Sequence, residues 1–253
     1  MGESVAGLSL SRTGNSKIDV IIPHLNYGRF LKQCLDSIRA QNADANIILV
    51  DGGSTDNTFE VLKDFPEVKV LTFVGEVRDA FLHGYRQTSA DYVCFFSSDN
   101  VMLPNFLSDA KTVLDSQPNV GLVYGYATQI DAEGREQGTV HGGEWSRNKI
   151  KEKNFVDSSE GVFRRAAWSG QYPDWLFCHP DWWIWREISE KYEAVYLNRA
   201  VILFRVHDQS FSNRRRPQID AEYARIRQSR EDEILHELQN AFAERDVLRA
   251  TQD

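Results

Sequence analysis

Cysteine is scarce in this sequence: Cys34, Cys94 and Cys178 stand far apart, each within an apolar or aromatic run. Three cysteines without a Cys-x-x-Cys pair support neither a disulfide framework nor a structural zinc site. Positive charge is also in deficit, with 29 Lys and Arg against 37 Asp and Glu and a formal net charge of -8. A binder of phosphate backbones needs a basic surface, so no nucleic-acid partner is expected. Long apolar runs are missing as well: stretches such as Ile47 to Val50 and Val201 to Phe204 fall far short of the roughly 20 residues a membrane-crossing helix requires. The segment Met1 to Lys17 has no basic start followed by an apolar core, and Ala6 stands where a myristoylation signal needs Ser or Thr. Residues 1–16 are expected to form a flexible tail, and the protein to be cytoplasmic. Finally, neither Gly-x-Gly-x-x-Gly nor Gly-x-x-x-x-Gly-Lys occurs, which leaves a nicotinamide dehydrogenase or a P-loop enzyme without support.

What is present is an ordinary globular composition, 42% hydrophobic and 26% charged over 253 residues, enough for a self-sufficient core. A β-branched run from Ile18 to Ile22 ends at Pro23, and Phe30, Leu31, Cys34, Leu35 and Ile38 follow at helical spacing. The unit recurs. Ile47 to Val50 leads into a stripe at Phe59, Val61, Leu62 and Phe65. Val68 to Val74 leads into a helix over Arg78 to Thr88, and Tyr92 to Phe96 is a strand apolar on both faces. Alternation of this kind predicts an α/β fold with a mainly parallel sheet flanked by helices. Ligands gather at the carboxyl ends of such strands, where Pro23 to Tyr27, Asp51 to Asp56 and Ser97 to Asn100 all fall. Three loops should therefore converge on one crevice. Pro104 opens a further helix, Val120 to Ala127 reads as a strand, and Asp131 to Lys153 as a long excursion or hairpin. Pro180 to Tyr192 predicts a helix, Ala194 to Val206 one or two strands, and Gln218 to Ala250 an amphipathic helix.

Several short motifs stand in a telling order: Ile21-Ile22-Pro23 with Asn26-Tyr27, then Asp51-Gly52-Gly53-Ser54-Thr55-Asp56, Asp79-Ala80 with Gly84, Ser98-Asp99-Asn100, Asp181, and Arg205-Val206-His207. Together they resemble the family 2 glycosyltransferases, which have the GT-A fold, over roughly Lys17 to Ser212. The resemblance implies a GT-A domain over residues 17–212, followed by a C-terminal helical extension over 213–253. It implies an inverting, metal-dependent glycosyltransferase that moves a sugar from a nucleoside diphosphate donor to a hydroxyl of a carbohydrate or glycolipid acceptor, with a bacterial surface polysaccharide as the product. Pro23, Asn26, Asp51, Asp79 and Ser98 would then surround the nucleotide. Asp99, with His207, would hold Mn2+ or Mg2+, and Arg205 would reach phosphate. Asp181 would be the base.

Each assignment has a plainer counterpart. Asp51 at a strand end can accept from a base or ribose, or hold the Gly52-Gly53 turn while Asp56 caps the next helix. Asp99 or Asn100 can simply start the helix near Pro104, and Asp79 and Asp181 can serve as first-turn helix acids. His207 can be a surface histidine, and the Arg214-Arg215-Arg216 run a lid over diphosphate or a solvated connector. Two departures from the family pattern bear on the site: Gly52 follows Asp51 where relatives often have a second Asp, and Ser98 replaces the first acid of the metal motif. They sustain a second reading, a nucleotide-sugar-binding or scaffold protein without turnover. All six tryptophans lie between Trp145 and Trp185, so Trp175, Trp182 and Trp183 are candidates to stack on an acceptor sugar, although such rings more often fill core. The terminal helix is open to a homodimer or to peripheral contact at the inner membrane face, yet its acids, including Glu231, Asp232, Glu233 and Glu237, oppose adsorption to anionic lipid.

Overall fold

The computed structural model describes residues 17–228. The expected N-terminal tail and most of the expected terminal helix lie outside these residues. Strand β1 (Ile18–His24), helix α1 (Gly28–Arg39), β2 (Ala45–Asp51), α2 (Thr58–Leu62), β3 (Lys69–Thr72), α3 (Val77–Arg86) and β4 (Tyr92–Phe95) reproduce the alternation expected from the pattern. After β4 come β5 (Val101–Met102), α4 (Phe106–Ser116), β6 (Val120–Ile130), β7 (Glu136–Val140) and α5 (Arg147–Glu152). The chain continues with β8 (Gly161–Arg164), α6 (Pro180–Lys191), β9 (Glu193–Arg205), α7 (Phe211–Arg214) and α8 (Arg216–Gln228). The excursion after β6 is a hairpin: β7 folds back antiparallel on β6 before α5 begins. The final strand region is one continuous strand, β9.

The strands form a single sheet in the order β3-β2-β1-β4-β8-β6-β9-β5, with β7 on β6. From β3 to β4 every pairing is parallel. Beyond β4 the sheet becomes mixed, because β8 runs antiparallel to both β4 and β6 while β6 and β9 are parallel. The side-chain period of two divides β1 between two cores. Ile18, Val20 and Ile22 join Leu31, Leu35, Phe96 and Phe106 on one face. Ile21 joins Val50, Phe81, Phe95, Trp168 and Trp185 on the other. Helices cover both faces of the parallel half, which is why β4 is buried along its whole length.

Helix α3 lies unusually close to the sheet. A Cβ on Gly84 would sit 2.5 Å from Ile21 Cγ2 and 3.1 Å from Val50 Cγ2, so the glycine of the Asp79-Ala80…Gly84 motif is required by packing. Gly84→Val should push α3 off β1 and β2 and lower stability by about 1–3 kcal/mol, the usual penalty for overpacking. The measurement is the urea midpoint, and a wild-type midpoint would show that α3 moves outward freely.

Candidate active site

The loops at the ends of β1, β2 and β4 do converge. Pro23, His24, Leu25, Gly52, Ser97 and Ser98 help to line a cavity of about 150 Å3, with apolar walls from Phe73, Ala80 and Phe81 of the β3–α3 region. A larger cleft of about 710 Å3 adjoins it, and its polar walls include His141, Asn154, Asp157, His179 and Asp181. Val77, Phe81, Ser97, Asp99 and Phe211 belong to both. Asp99 therefore stands at the seam between a small, largely apolar cavity and a large polar one.

The carboxylate of Asp99 faces His207, with Oδ2 3.1 Å from Nε2. The imidazole is packed between Tyr27 and Phe30, with ring centroids at 5.1 and 4.9 Å. Its Nδ1 is buried with no hydrogen-bond partner. Residue 207 is thus not a surface histidine. The Asp99 carboxylate is a fitting partial donor for Mn2+ or Mg2+, both of which favour oxygen, and the adjoining imidazole is a nitrogen donor that suits a transition metal such as Mn2+ better than Mg2+. Among the described residues no group of three or more His, Cys, Asp or Glu converges on one point, so further ligands would be phosphate oxygens of a substrate and water.

Asp181 occupies the first turn of α6, after His179 and Pro180. Its Oδ1 accepts the Trp182 amide at 2.8 Å and its Oδ2 accepts Asn154 Nδ2 at 3.1 Å. Burial and then the Asp157 carboxylate raise its pKa from the ordinary 3.8 to about 6, against the opposing influence of His179. Asp157 is itself held by a capping box. Its side chain accepts the Ser159 amide at 2.9 Å, and the Asp157 amide donates back to Glu160 at 3.0 Å. Glu160 is fully buried, and desolvation lifts its carboxyl to about 7 although His141 lies 3.4 Å away. His141, one wall of the cleft, is raised to about 9: burial opposes its protonation, but Glu160 and the nearby acids outweigh it.

Not every anticipated residue reaches a cavity wall. Asp51 is 1% exposed, and its carboxylate accepts the Gly53 and Ser54 amides at 2.9 and 3.0 Å, while Gly52 lines the small cavity. Asn26, at φ 56°, ties the β1–α1 loop to the β2–α2 loop by accepting the Thr55 amide at 2.8 Å and donating its own to Ser54 Oγ at 3.0 Å. Asp79 pairs with Arg78 at 2.8 Å, and the Arg78 guanidinium also binds the carbonyls of Pro173 and Leu176. The pair fastens α3 to the loop before α6, and Asp79 lines neither cavity. Asp56 stands one residue before Asn57, the N-cap of α2, and accepts the amides of Gly28 and Thr58 at the starts of α1 and α2.

Two expectations need correction. Arg205 lines the cleft, but its guanidinium is engaged by backbone and amide oxygens: Asp99 at 2.9 Å, Asp131 at 3.0 Å, Ala132 at 3.1 Å and Gln33 Oε1 at 2.7 Å. It braces the site and does not present an open fork to phosphate. The tryptophan platform is likewise replaced by core packing. Trp182 is 0% exposed and its Nε1 donates to the Ile150 carbonyl. Trp183 is buried against Trp175, whose ring faces Arg225 instead of the cleft. Large rings at the start of α6 bury themselves because that helix lies between the sheet and the rest of the chain. The aromatic surface of the cleft is supplied by Phe81, Phe177, Phe204, Phe211 and Tyr223. Sequence reasoning overlooked Asn154, Asp157, His141 and His179, although Asp157-Ser158-Ser159-Glu160 carries the acidic variant of the capping-box spacing.

Comparison with known proteins places this geometry. The family profile described as glycosyl transferase family 2 matches residues 19–192. The chain belongs to that family. Over 223 residues it is 26% identical to glycosyltransferase GlyA of Streptococcus pneumoniae serotype 4, covering 78% of this chain and 32% of that protein. The chain spans about a third of the length of the first curated relatives it matches. Among solved structures, Staphylococcus aureus TarS 1-349 in complex with UDP superposes with a TM-score of 0.62 at 17% identity, covering 90% of this chain and 70% of that one. Mannosyltransferase PcManGT of Pyrobaculum calidifontis, in complex with GDP-Man and Mn2+, gives 0.63 at 18% identity over 92% and 70%. The fold is of the GT-A type.

The raised Asp181 carboxyl has a sign that stability can check. Its folded pKa of about 6 exceeds the ordinary 3.8, so the folded state holds the proton more tightly and stability falls as pH rises from about 4 to about 6. Asp181→Asn should therefore raise stability at pH 8 by up to about 3 kcal/mol, a gain absent below pH 4. Thermal melts at the two pH values test it, and an equal shift at both would refute the buried-charge account.

Proposed function

We propose that this protein transfers a sugar from a nucleoside diphosphate donor to a hydroxyl of a carbohydrate acceptor, with inversion at the anomeric carbon. The observation that carries this reading is the seam itself. Asp99 and Asp181 line one cleft, and an apolar cavity suited to a nucleobase opens beside Asp99. The base would lie against Pro23, Leu25 and Phe81 near Ser98, which orients the diphosphate towards Asp99 and the acceptor towards Asp181. The Asp181 carboxylate takes the proton of the acceptor hydroxyl as that oxygen bonds to the anomeric carbon, and the bond from that carbon to the diphosphate oxygen breaks. A divalent cation held by Asp99 and His207 would neutralise the charge that develops on the departing diphosphate. Arg205 keeps the backbone of Asp99 in place, and Asn154 keeps the Asp181 carboxylate directed into the cleft.

The family resemblance favours a surface polysaccharide or its glycolipid precursor as the acceptor. No helix among the described residues is long and apolar enough to cross a membrane. Ser98 in place of the first acid of the motif supplies no charge and favours weak metal affinity until the nucleotide is bound.

Titration of UDP and GDP with and without Mn2+ tests the donor half. Binding should tighten with the metal, and Asp99→Ala should abolish that gain. Turnover tests the other half: Asp181→Asn should lower it by about 10^2- to 10^4-fold, the usual contribution of a general base, with nucleotide affinity unchanged. Tight wild-type binding with no transfer or hydrolysis of any donor would instead support a binding protein without turnover.

A further inference from the structure

The described part of the C-terminal segment forms a wall of the cleft. Ile219, Asp220 and Tyr223 of α8 line it, and Glu222 reaches underneath. Its carboxylate accepts three successive backbone amides: Phe177 at 2.5 Å, Cys178 at 2.8 Å and His179 at 2.7 Å. It also lies 3.1 Å from His179 Nδ1. Three consecutive N–H groups aimed at one acceptor require the backbone to curl around it, and this curl is the turn from which Pro180 opens α6. Asp181 is the next residue. Tyr223 packs on Trp182 and His179, with ring centroids at 4.8 and 5.6 Å. Just before α8, Arg215 binds both carboxylate oxygens of Glu76 at 3.0 Å, and Glu76 precedes α3 beside the small cavity.

Glu222 is 8% exposed. Burial opposes its ionisation, but the bonds from His179, Phe177 and Cys178 outweigh it and hold the carboxyl below its ordinary value. Without this acceptor, three amides and an imidazole would be left without their present partner at the base of α6, an arrangement the turn would escape by rearranging.

We infer that Glu222 is a positioning residue for Asp181: by gathering the amides of residues 177–179 it sets where α6 starts and hence where the Asp181 carboxylate enters the cleft. The inference rests on the reading of Asp181 as the base that deprotonates the acceptor. Glu222 touches no reacting atom and acts through the backbone. A misplacement of the base by about 1 Å lowers turnover by up to about 10^2-fold while leaving distant nucleotide contacts intact.

The test compares the wild-type chain with Glu222→Gln, which keeps the size but offers one acceptor and a misplaced amino group, and with Glu222→Asp, which keeps the charge. Three readouts are taken: amide hydrogen exchange over residues 177–183, UDP and GDP affinity by calorimetry, and kcat for nucleoside diphosphate release from a sugar nucleotide. For Glu222→Gln, exchange should speed up at least tenfold in that segment, kcat should fall about tenfold or more, and UDP and GDP affinity should stay within twofold. Glu222→Asp should recover part of kcat. Wild-type exchange or wild-type kcat in Glu222→Gln overturns the inference. So does a parallel loss of nucleotide affinity, which would indicate general loosening. If the wild-type chain turns over no donor, the glycosyl-transfer reading fails, and the exchange data still decide whether Glu222 holds the turn.

Discussion

The side chain of Asn100 joins the two halves of this molecule. Its Oδ1 accepts the Arg205 amide at 2.9 Å and its Nδ2 donates to Ser159 Oγ at 3.1 Å. The same Ser159 oxygen accepts the Ser97 amide at 3.1 Å, and Arg205 Nε donates to the Asp99 carbonyl at 2.9 Å. The network knots three places that are far apart in sequence: the loop after β4, the capping-box turn before β8 and the end of β9. Asn100 and Ser159 are buried, and each buried polar group left unpaired would cost about 1–3 kcal/mol. The chain therefore has a strong reason to adopt one arrangement here. The consequence is geometric: the loop cannot move without breaking the knot, so Asp99 presents its carboxylate to His207 and to both cavities. Asp157 enters the cleft from the turn that supplies Ser159.

The parallel half of the fold was legible because its rules are local. Each strand leads to a polar turn and then to a helix whose stripe can be read within a dozen or so residues. Proximity of the Pro23, Gly52 and Ser97 loops follows from parallel pairing alone, since parallel strands bring their carboxyl ends to the same edge. The mixed half obeys no such rule. Nothing in Gly161–Arg164 announces that β8 will run antiparallel between β4 and β6, because only the pairing partners decide it. β5, which spans just Val101–Met102, is too short to carry any period.

The same distinction explains the site. Residues close to the strand ends were readable in kind, but their contacts were not. Arg205 was legible as a cation near the cleft, yet the oxygens that occupy it come from residues 33, 99, 131 and 132. The tryptophans of α6 look in sequence like a sugar platform because four of six cluster near Asp181. Only the packing of that helix against the sheet, and of Tyr223 against Trp182, shows that the rings face inward. Glu222 had no local signature at all: a carboxylate on a polar helix becomes informative when the amides it meets are known.

Asp99 and Asp181 share one cleft, but their surroundings make them different groups. Asp99 is set beside the His207 imidazole and on a backbone braced by Arg205, partners consistent with the proposed role of holding a cation. Asp181 is set among groups that make its charge expensive, since burial and Asp157 both favour its protonated form. A carboxyl raised to about 6 is still mainly ionised near neutrality and accepts a proton more readily than an ordinary aspartate, which is what removal of a hydroxyl proton demands. The two environments are not interchangeable. An acid at position 181 beside an imidazole, with no neighbouring carboxylate, would hold its charge too comfortably to be a useful base. On the proposed mechanism, the division of labour would lie in the elements that surround each aspartate, and those elements are the ones the chain assembles from its most distant parts.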